Sequence, residues 1–235
     1  MLLLLLIVAG LISPPADTGA PADDSTFYID SVLWEVRAAP GGSTEGIALL
    51  TIDDGPQKDT TRELLDLLAA HDVRALFFIN GEPASAFPER VQEMIDGGHM
   101  VGNHGWGHKD LATLSADETA REILRVNEWL QQHKDYAPTF FRPPYGISTP
   151  AADSIVWDAG MRNMGWSVNS TDYLFPDNED SVEQDARQVA ERTLAGLENG
   201  NIILMHDRPV TVEALRIILP ELEARGIRLV LPNAW

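Results

Sequence analysis

Apolar positions along this chain switch repeatedly between a period of two and a period near 3.6. "GIALLTID" is a continuous apolar strand, and "DTTRELLDLLAAHD" after it has helical spacing, with Thr60 and Glu63 at capping-box separation. "RALFFIN" is the next strand. "PERVQEMIDGG" is the next helix, with Pro88 near its start and Gly97 or Gly98 at its end. A short strand, "HMVGNH", precedes the strongest helix, "SADETAREILRVNEWLQQH", where Ser115 and Glu118 form a capping box and Ile123, Leu124, Val126 and Leu130 form an apolar face. The alternation continues through strand "PTFFR", helix "TPAADSIVWDAG", strand "RNMGWSV", helix "SVEQDARQVAERTLAGL", strand "NIILMH", helix "TVEALRIILPELEARG" and strand "IRLVL". Strand and helix units joined by short connections predict one α/β domain around a parallel sheet, either a barrel or a barrel lacking part of its wall.

Two segments precede this alternation. "MLLLLLIVAGLIS" followed by "APAD" reads as a secretory signal peptide, residues 1–22, cut after Ala22; an uncleaved anchor is the alternative, since no Lys or Arg precedes the apolar run. Residues 23–45 then hold a strand-like stretch, "FYIDSVLWEVRA", and a Gly-rich break. No later stretch is apolar enough to span a membrane.

Composition narrows the chemistry. The 235-residue chain has no cysteine, which excludes disulfides, thiolate metal sites and cysteine nucleophiles. Any metal must be held by His and carboxylates. A formal charge of −19 excludes nucleic acid and anionic membrane surfaces as partners, because both need a basic face.

The polar clusters fall at strand ends. Asp53 and Asp54 follow "ALLTI", His104 and His108 follow "HMVGN", Arg142 to Gly146 follow "PTFF", Asn169 to Tyr173 follow "MGWSV", and His206 and Asp207 follow "NIILM". Each has an ordinary reading alone: Asp-Asp-Gly-Pro as a turn, the His pair as surface or core decoration, "RPPYG" as a rigid turn, "LMHD" as a core strand surfacing at its end. In a parallel barrel, however, all five gather on the one face where such folds carry their sites. Gly105 and Gly107 break any helix between the two histidines, so "HGWGH" suits a loop wrapping an ion. One carboxylate and two imidazoles make a three-ligand set for Zn²⁺ or a similar ion. An adjacent free carboxylate can act as general base and a further His as general acid. This is the chemistry of metal-assisted acyl hydrolysis. No G-x-S-x-G elbow and no phosphate-binding loop competes with it.

As an ordered set, "TIDDG", "HGWGH", "RPPYG" and "LMH" resemble the motifs of the polysaccharide deacetylases of the NodB-homology type, carbohydrate esterase family 4, over residues 46–235. The resemblance implies a single-domain, distorted (β/α) barrel, an incomplete TIM-like barrel of about seven parallel strands. It implies removal of acetyl groups from N- or O-acetylated sugars. By analogy Asp53 is the general base, and Asp54, His104 and His108 hold the metal, expected to be zinc, with cobalt, nickel or manganese as alternatives. Arg142 orients Asp53, the Tyr145 N–H donates to the oxyanion, His206 is the general acid and Leu204 lines the acetyl pocket. The sequence departs from the family where D-x-x-D-W is usual and "NSTDY" stands: Asn169 replaces an acid and Tyr173 a tryptophan. The acid that tunes His206 is therefore Asp172, or Asn169 holds the ring by a hydrogen bond alone. Trp106, Pro143 and Tyr173 are expected in the substrate pocket, and Trp166 chiefly in the core.

The expected protein is a secreted or periplasmic, monomeric enzyme whose partner is an acetylated glycan such as chitin oligomers, peptidoglycan or acetylxylan, without strong membrane binding once the signal is cut. A small-molecule amidohydrolase and a catalytically impaired glycan-binding protein are the competing readings.

Overall fold

Side chains on β3 (Ile47–Gly55) alternate between two hydrophobic environments. Ala48, Leu50 and Ile52 pack among helix side chains, including Leu64, Val126 and Leu215. Ile47 and Leu49 belong to a separate cluster with Leu76, Phe78, Phe140 and Ile202, to which no helix contributes among the described residues. The second cluster is the inside of a curled sheet, and Thr51 and Asp53 continue its inward row. The computed structural model describes residues 27–39, 42–176 and 181–233; the expected signal segment, 1–22, lies outside them.

Around β3 stand β4 (Leu76–Ile79), β5 (Met100–Asn103), β6 (Phe140–Phe141), β7 (Arg162–Asn163), β8 (Val168–Asn169), β9 (Ile202–His206) and β10 (Arg228–Leu229). Their hydrogen-bonded order is β7-β6-β5-β4-β3-β9-β8, all parallel, with β10 beside the start of β3. The two outer strands, β7 and β8, are halves of one chain segment. Residues 163 and 168 lie within about 18 Å even if extended, so the two edges must curl toward each other. The result is a distorted, incomplete (β/α) barrel. Among the described residues seven α-helices, α1 (Thr60–Ala70), α2 (Gly81–Ala86), α3 (Pro88–Asp96), α4 (Ala116–Lys134), α5 (Pro150–Asp158), α6 (Val182–Ala195) and α7 (Pro209–Ala224), follow in sequence. Among the described residues no helix is long and apolar enough to cross a membrane.

Several local expectations change. "RNMGWSV" breaks into β7 and β8, because its first half pairs with β6 and its second with β9. "FYIDSVLWEVRA" is an antiparallel hairpin, β1 (Phe27–Asp30) and β2 (Glu35–Ala38). Asp30 Oδ1 turns it by accepting from the N–H groups of Val32 (2.9 Å) and Leu33 (3.0 Å). The Ser115–Glu118 capping box forms as expected. The Thr60–Glu63 box does not, since Thr60 lies inside the helix and Asp59 takes the cap position without a side-chain bond. Helix α2, too short to show a period, was not legible in the sequence.

Candidate active site

The two aspartates separate because β3 bulges. Asp53 pairs with Phe78 and Gly55 with Ile79, leaving Asp54 as the extra residue, with φ of 70°. In a regular strand successive side chains face opposite ways; the bulge re-aims Asp54 so that both carboxylates reach one cleft. His206, the partner of Asp53 on β9, occupies the same inward row as Ile202 and Leu204. The cleft has a volume of about 340 Å³, and Asp53, Asp54, His104, His108, Leu204 and His206 line it. Pro143, Tyr145, Asn169 and Tyr173 complete its rim.

Asp53 is buried and held by Arg142, whose side chain is 0% exposed. The Arg142 Nη1 donates to Asp53 Oδ1 (2.8 Å) and Thr51 Oγ1 (2.7 Å), Nε to the Met164 carbonyl (3.1 Å) and Nη2 to the Gly165 carbonyl (2.8 Å). The guanidinium lies 4.3 Å from the Phe78 ring centre. A buried cation so fully satisfied fixes one carboxylate oxygen of Asp53 and leaves the other toward the cleft. Arg142→Ala would strand that carboxylate in the interior; a loss of about 3–5 kcal/mol in unfolding free energy is expected in a denaturant titration.

Asp54 Oδ1 lies 3.4 Å from His104 Nε2 and 3.3 Å from His108 Nε2. One oxygen and two ring nitrogens thus lie within 4.8 Å of one another. His104 Nδ1 is 2.7 Å from the Arg142 carbonyl, which can only accept, so Nδ1 carries the proton and Nε2 presents a lone pair to Asp54. Asp54 Oδ1 is buried with no hydrogen-bond partner. A carboxylate oxygen facing an imidazole lone pair is repulsive without a cation between them, so this donor set fits a divalent ion. Without such an ion, imidazole protons take its place: burial pushes the Asp54 carboxyl up, but a hydrogen bond from and the charge of His104, then the charges of His206 and His108, outweigh it and bring it down to about 2. Burial holds the His108 imidazole below its ordinary range. Three residues that no motif flagged brace this loop. Glu122 Oε1 accepts from Gly107 N (2.5 Å), Asn103 Oδ1 from Gly105 N (2.8 Å), and Asn80 Nδ2 donates to the His104 carbonyl (2.7 Å). Only Asn103, directly before His104, could have drawn notice.

Across the cleft, Asp172, 0% exposed, accepts from His206 Nδ1 (2.7 Å), the His206 N–H (2.6 Å) and Thr211 Oγ1 (2.7 Å). Asn169 plays no part in that pair. Its Oδ1 caps the Thr171 N–H (2.9 Å), and its Nδ2 reaches the Tyr173 hydroxyl (3.3 Å). Burial alone would lower the His206 pKa; the hydrogen bond and charge of Asp172, then the charges of Asp53 and Asp54, raise it above its ordinary value. Asp207 points away from the cleft: it accepts from Thr61 Oγ1 and Gln57 N beneath the β3 loop, and burial pushes its carboxyl up to about 6.

Trp106 does not line the cleft. It is 9% exposed, and Arg125 stacks 3.6 Å over its ring. The glycine on either side lets the loop turn the indole into the core instead. Trp166, expected chiefly in the core, lines the cleft and packs on Gly146, where φ is 71° and a Cβ would fall 2.7 Å from the indole. Its place directly before "SVNSTDY" was the available signal.

The polysaccharide deacetylase family model matches residues 41–164, more than half of the chain. A peptidoglycan-N-acetylglucosamine deacetylase of Bacillus cereus is 34% identical over 192 residues, 79% of this chain and 67% of its own. The chain spans as little as 37% of other peptidoglycan deacetylases that it matches. Among solved structures, a family 4 carbohydrate esterase from Streptomyces lividans in complex with acetate superposes with a TM-score of 0.72 at 29% identity, over 80% of this chain and 94% of that one. A family 4 pseudoenzyme from Bacillus anthracis superposes at 0.71 and 26% identity, over 78% of this chain and 63% of that one. This chain belongs to the polysaccharide deacetylase family.

Proposed function

We propose that this chain is a secreted, metal-dependent deacetylase that removes acetyl groups from N- or O-acetylated glycans, with chitin oligomers, peptidoglycan and acetylxylan as the substrate class. The observation that carries this is the division of the two aspartates: Asp53 bound to buried Arg142, Asp54 facing two imidazoles, with His206 opposite on the neighbouring strand. Its relatives named for peptidoglycan support a glycan over a small cyclic amide. Both carboxylates and all three histidines are in place, which weighs against an impaired binding protein.

Asp54, His104 and His108 would hold the metal, and their mixed oxygen and nitrogen set suits zinc first, with cobalt, nickel and manganese as alternatives. When bound, such an ion supplies Lewis acidity, polarising the acyl carbonyl and acidifying water. Asp53, held in place by Arg142, takes the proton of the attacking water. The backbone N–H of Tyr145 donates to the oxygen on which negative charge develops. His206 gives its Nε2 proton to the departing sugar nitrogen or oxygen while Asp172 holds Nδ1. Leu204 accommodates the acetyl methyl, and Pro143 and Tyr173 confine the sugar.

A general acid must be protonated, so activity falls as pH rises through the His206 pKa. Asp172 raises that pKa; Asp172→Asn is therefore expected to move the alkaline limb of kcat/KM to lower pH. An unmoved limb would remove His206 from this role. The function as a whole is tested by acetate release from chitin oligomers, peptidoglycan fragments, acetylxylan and small cyclic amides. Turnover confined to the amides would favour the small-molecule amidohydrolase.

A further inference from the structure

Asp207 is a buried carboxylate, 3% exposed, that the chemistry of the cleft does not use. It stands directly after His206 at the end of β9, where successive side chains face opposite ways, so His206 enters the cleft while Asp207 turns to the helix side. There its Oδ2 accepts from Thr61 Oγ1 on α1 and from the Gln57 N–H (3.2 Å). Thr61 Oγ1 also accepts from that N–H, at 2.6 Å. Among the described residues Asp207 Oδ1 is buried with no hydrogen-bond partner, so one oxygen of the carboxylate makes both contacts.

These bonds grip the chain on both sides of Asp54. Before it, the Asp53 carbonyl accepts from the Asp207 N–H (2.9 Å). After it, Gln57 is held by the carboxylate. Between them Gly55 lies so close that a Cβ would fall 2.7 Å from Asp207 Oδ2. The gripped segment is the one whose bulge gives Asp54 a φ of 70°, and a residue other than glycine keeps such a conformation only where its surroundings enforce it. The same segment reaches the histidine loop: the Gly55 carbonyl accepts from the Asn80 N–H (2.9 Å), and Asn80 Nδ2 donates to the His104 carbonyl.

We propose that Asp207 is a positioning residue for the metal site: its Oδ2, through Gln57 and Thr61, holds the β3 bulge in the conformation that aims Asp54 at His104 and His108. The inference rests on the metal reading of those three residues. What the loop uses is an acceptor oxygen rather than a charge. Burial already works against the charged form, pushing the carboxyl up to about 6, so Asn, equal in shape and still able to accept, serves where Ala does not. Loss of a group that orients a ligand weakens metal binding by about tenfold to a hundredfold.

Zinc affinity is measured by competition with a chelating dye, well below each melting temperature, for the unaltered protein and for Asp207→Ala, Asp207→Asn and Thr61→Ala. Asp207→Ala is expected to weaken zinc binding by about tenfold or more, Thr61→Ala by about threefold or more, and Asp207→Asn by less than about threefold. At saturating zinc Asp207→Ala should regain the kcat of the unaltered protein, since Asp53 and His206 keep their own partners, Arg142 and Asp172. A brace that serves only the fold would lower the melting temperature and leave zinc affinity unmoved, and that result overturns the proposal. So does an equal loss in Asp207→Asn and Asp207→Ala, or a kcat that zinc does not restore. Should Asp207→Ala fail to fold, Thr61→Ala decides, and unchanged zinc affinity in it overturns the proposal. An unaltered protein that binds no zinc overturns the metal reading and this inference with it. The expected order of zinc affinities without acetate release from any glycan would uphold the positioning role and overturn the deacetylase reading.

Discussion

Asp53→Asn is expected to lose about 10²- to 10⁴-fold in kcat for acetate release while still binding its metal. The Asn oxygen can still accept from Arg142 Nη1, so the geometry of that corner survives. What is lost is the capacity to take a proton. The substitution also leaves Arg142 without its counter-charge in a site where it is fully buried, so a lowered melting temperature should accompany the change. Metal content and kcat are therefore measured well below that temperature. Full turnover in the folded variant would assign the proton to another group.

Asp54→Asn should fail differently. Asn tolerates the left-handed backbone that Asp54 adopts, where Ala would add strain, so the bulge is preserved and only the charge is removed. Removing the sole anionic donor from the three-residue set is expected to weaken zinc binding by more than about a hundredfold, since even outer-shell changes cost tenfold to a hundredfold. Turnover should then follow occupancy, recovering in part at high zinc concentration. Metal affinity read by competition with a chelating dye separates the two variants. Equal metal affinity in both would contradict the division of labour between adjacent carboxylates.

The sequence carried the barrel because its apolar runs were long. Buried strands such as "ALLTI" and "NIILM" cannot be solvent-facing on either side, and their alternation with amphipathic helices leaves few topologies. It carried the rim residues because a parallel barrel puts strand ends together. It did not carry the bulge at Asp54, which arises from a register shift between β3 and β4 that no local pattern records. Nor did it settle the two aromatics: Trp106 and Trp166 both sit among small residues, and only the packing of the turn decides which ring enters the core. The departure at Asn169 looked more consequential in sequence than in space, since Asp172, not Asn169, takes the His206 hydrogen bonds.

The most direct test of deacetylation at this cleft is a titration. The protein is stripped of metal with a chelator and zinc is added back in fractions of one equivalent per chain, while acetate released from N-acetylchitotetraose is measured at each step. Release is expected to vanish on stripping and to return in proportion to zinc, levelling at one equivalent. Full release from the stripped protein, or none at one bound equivalent, would contradict it.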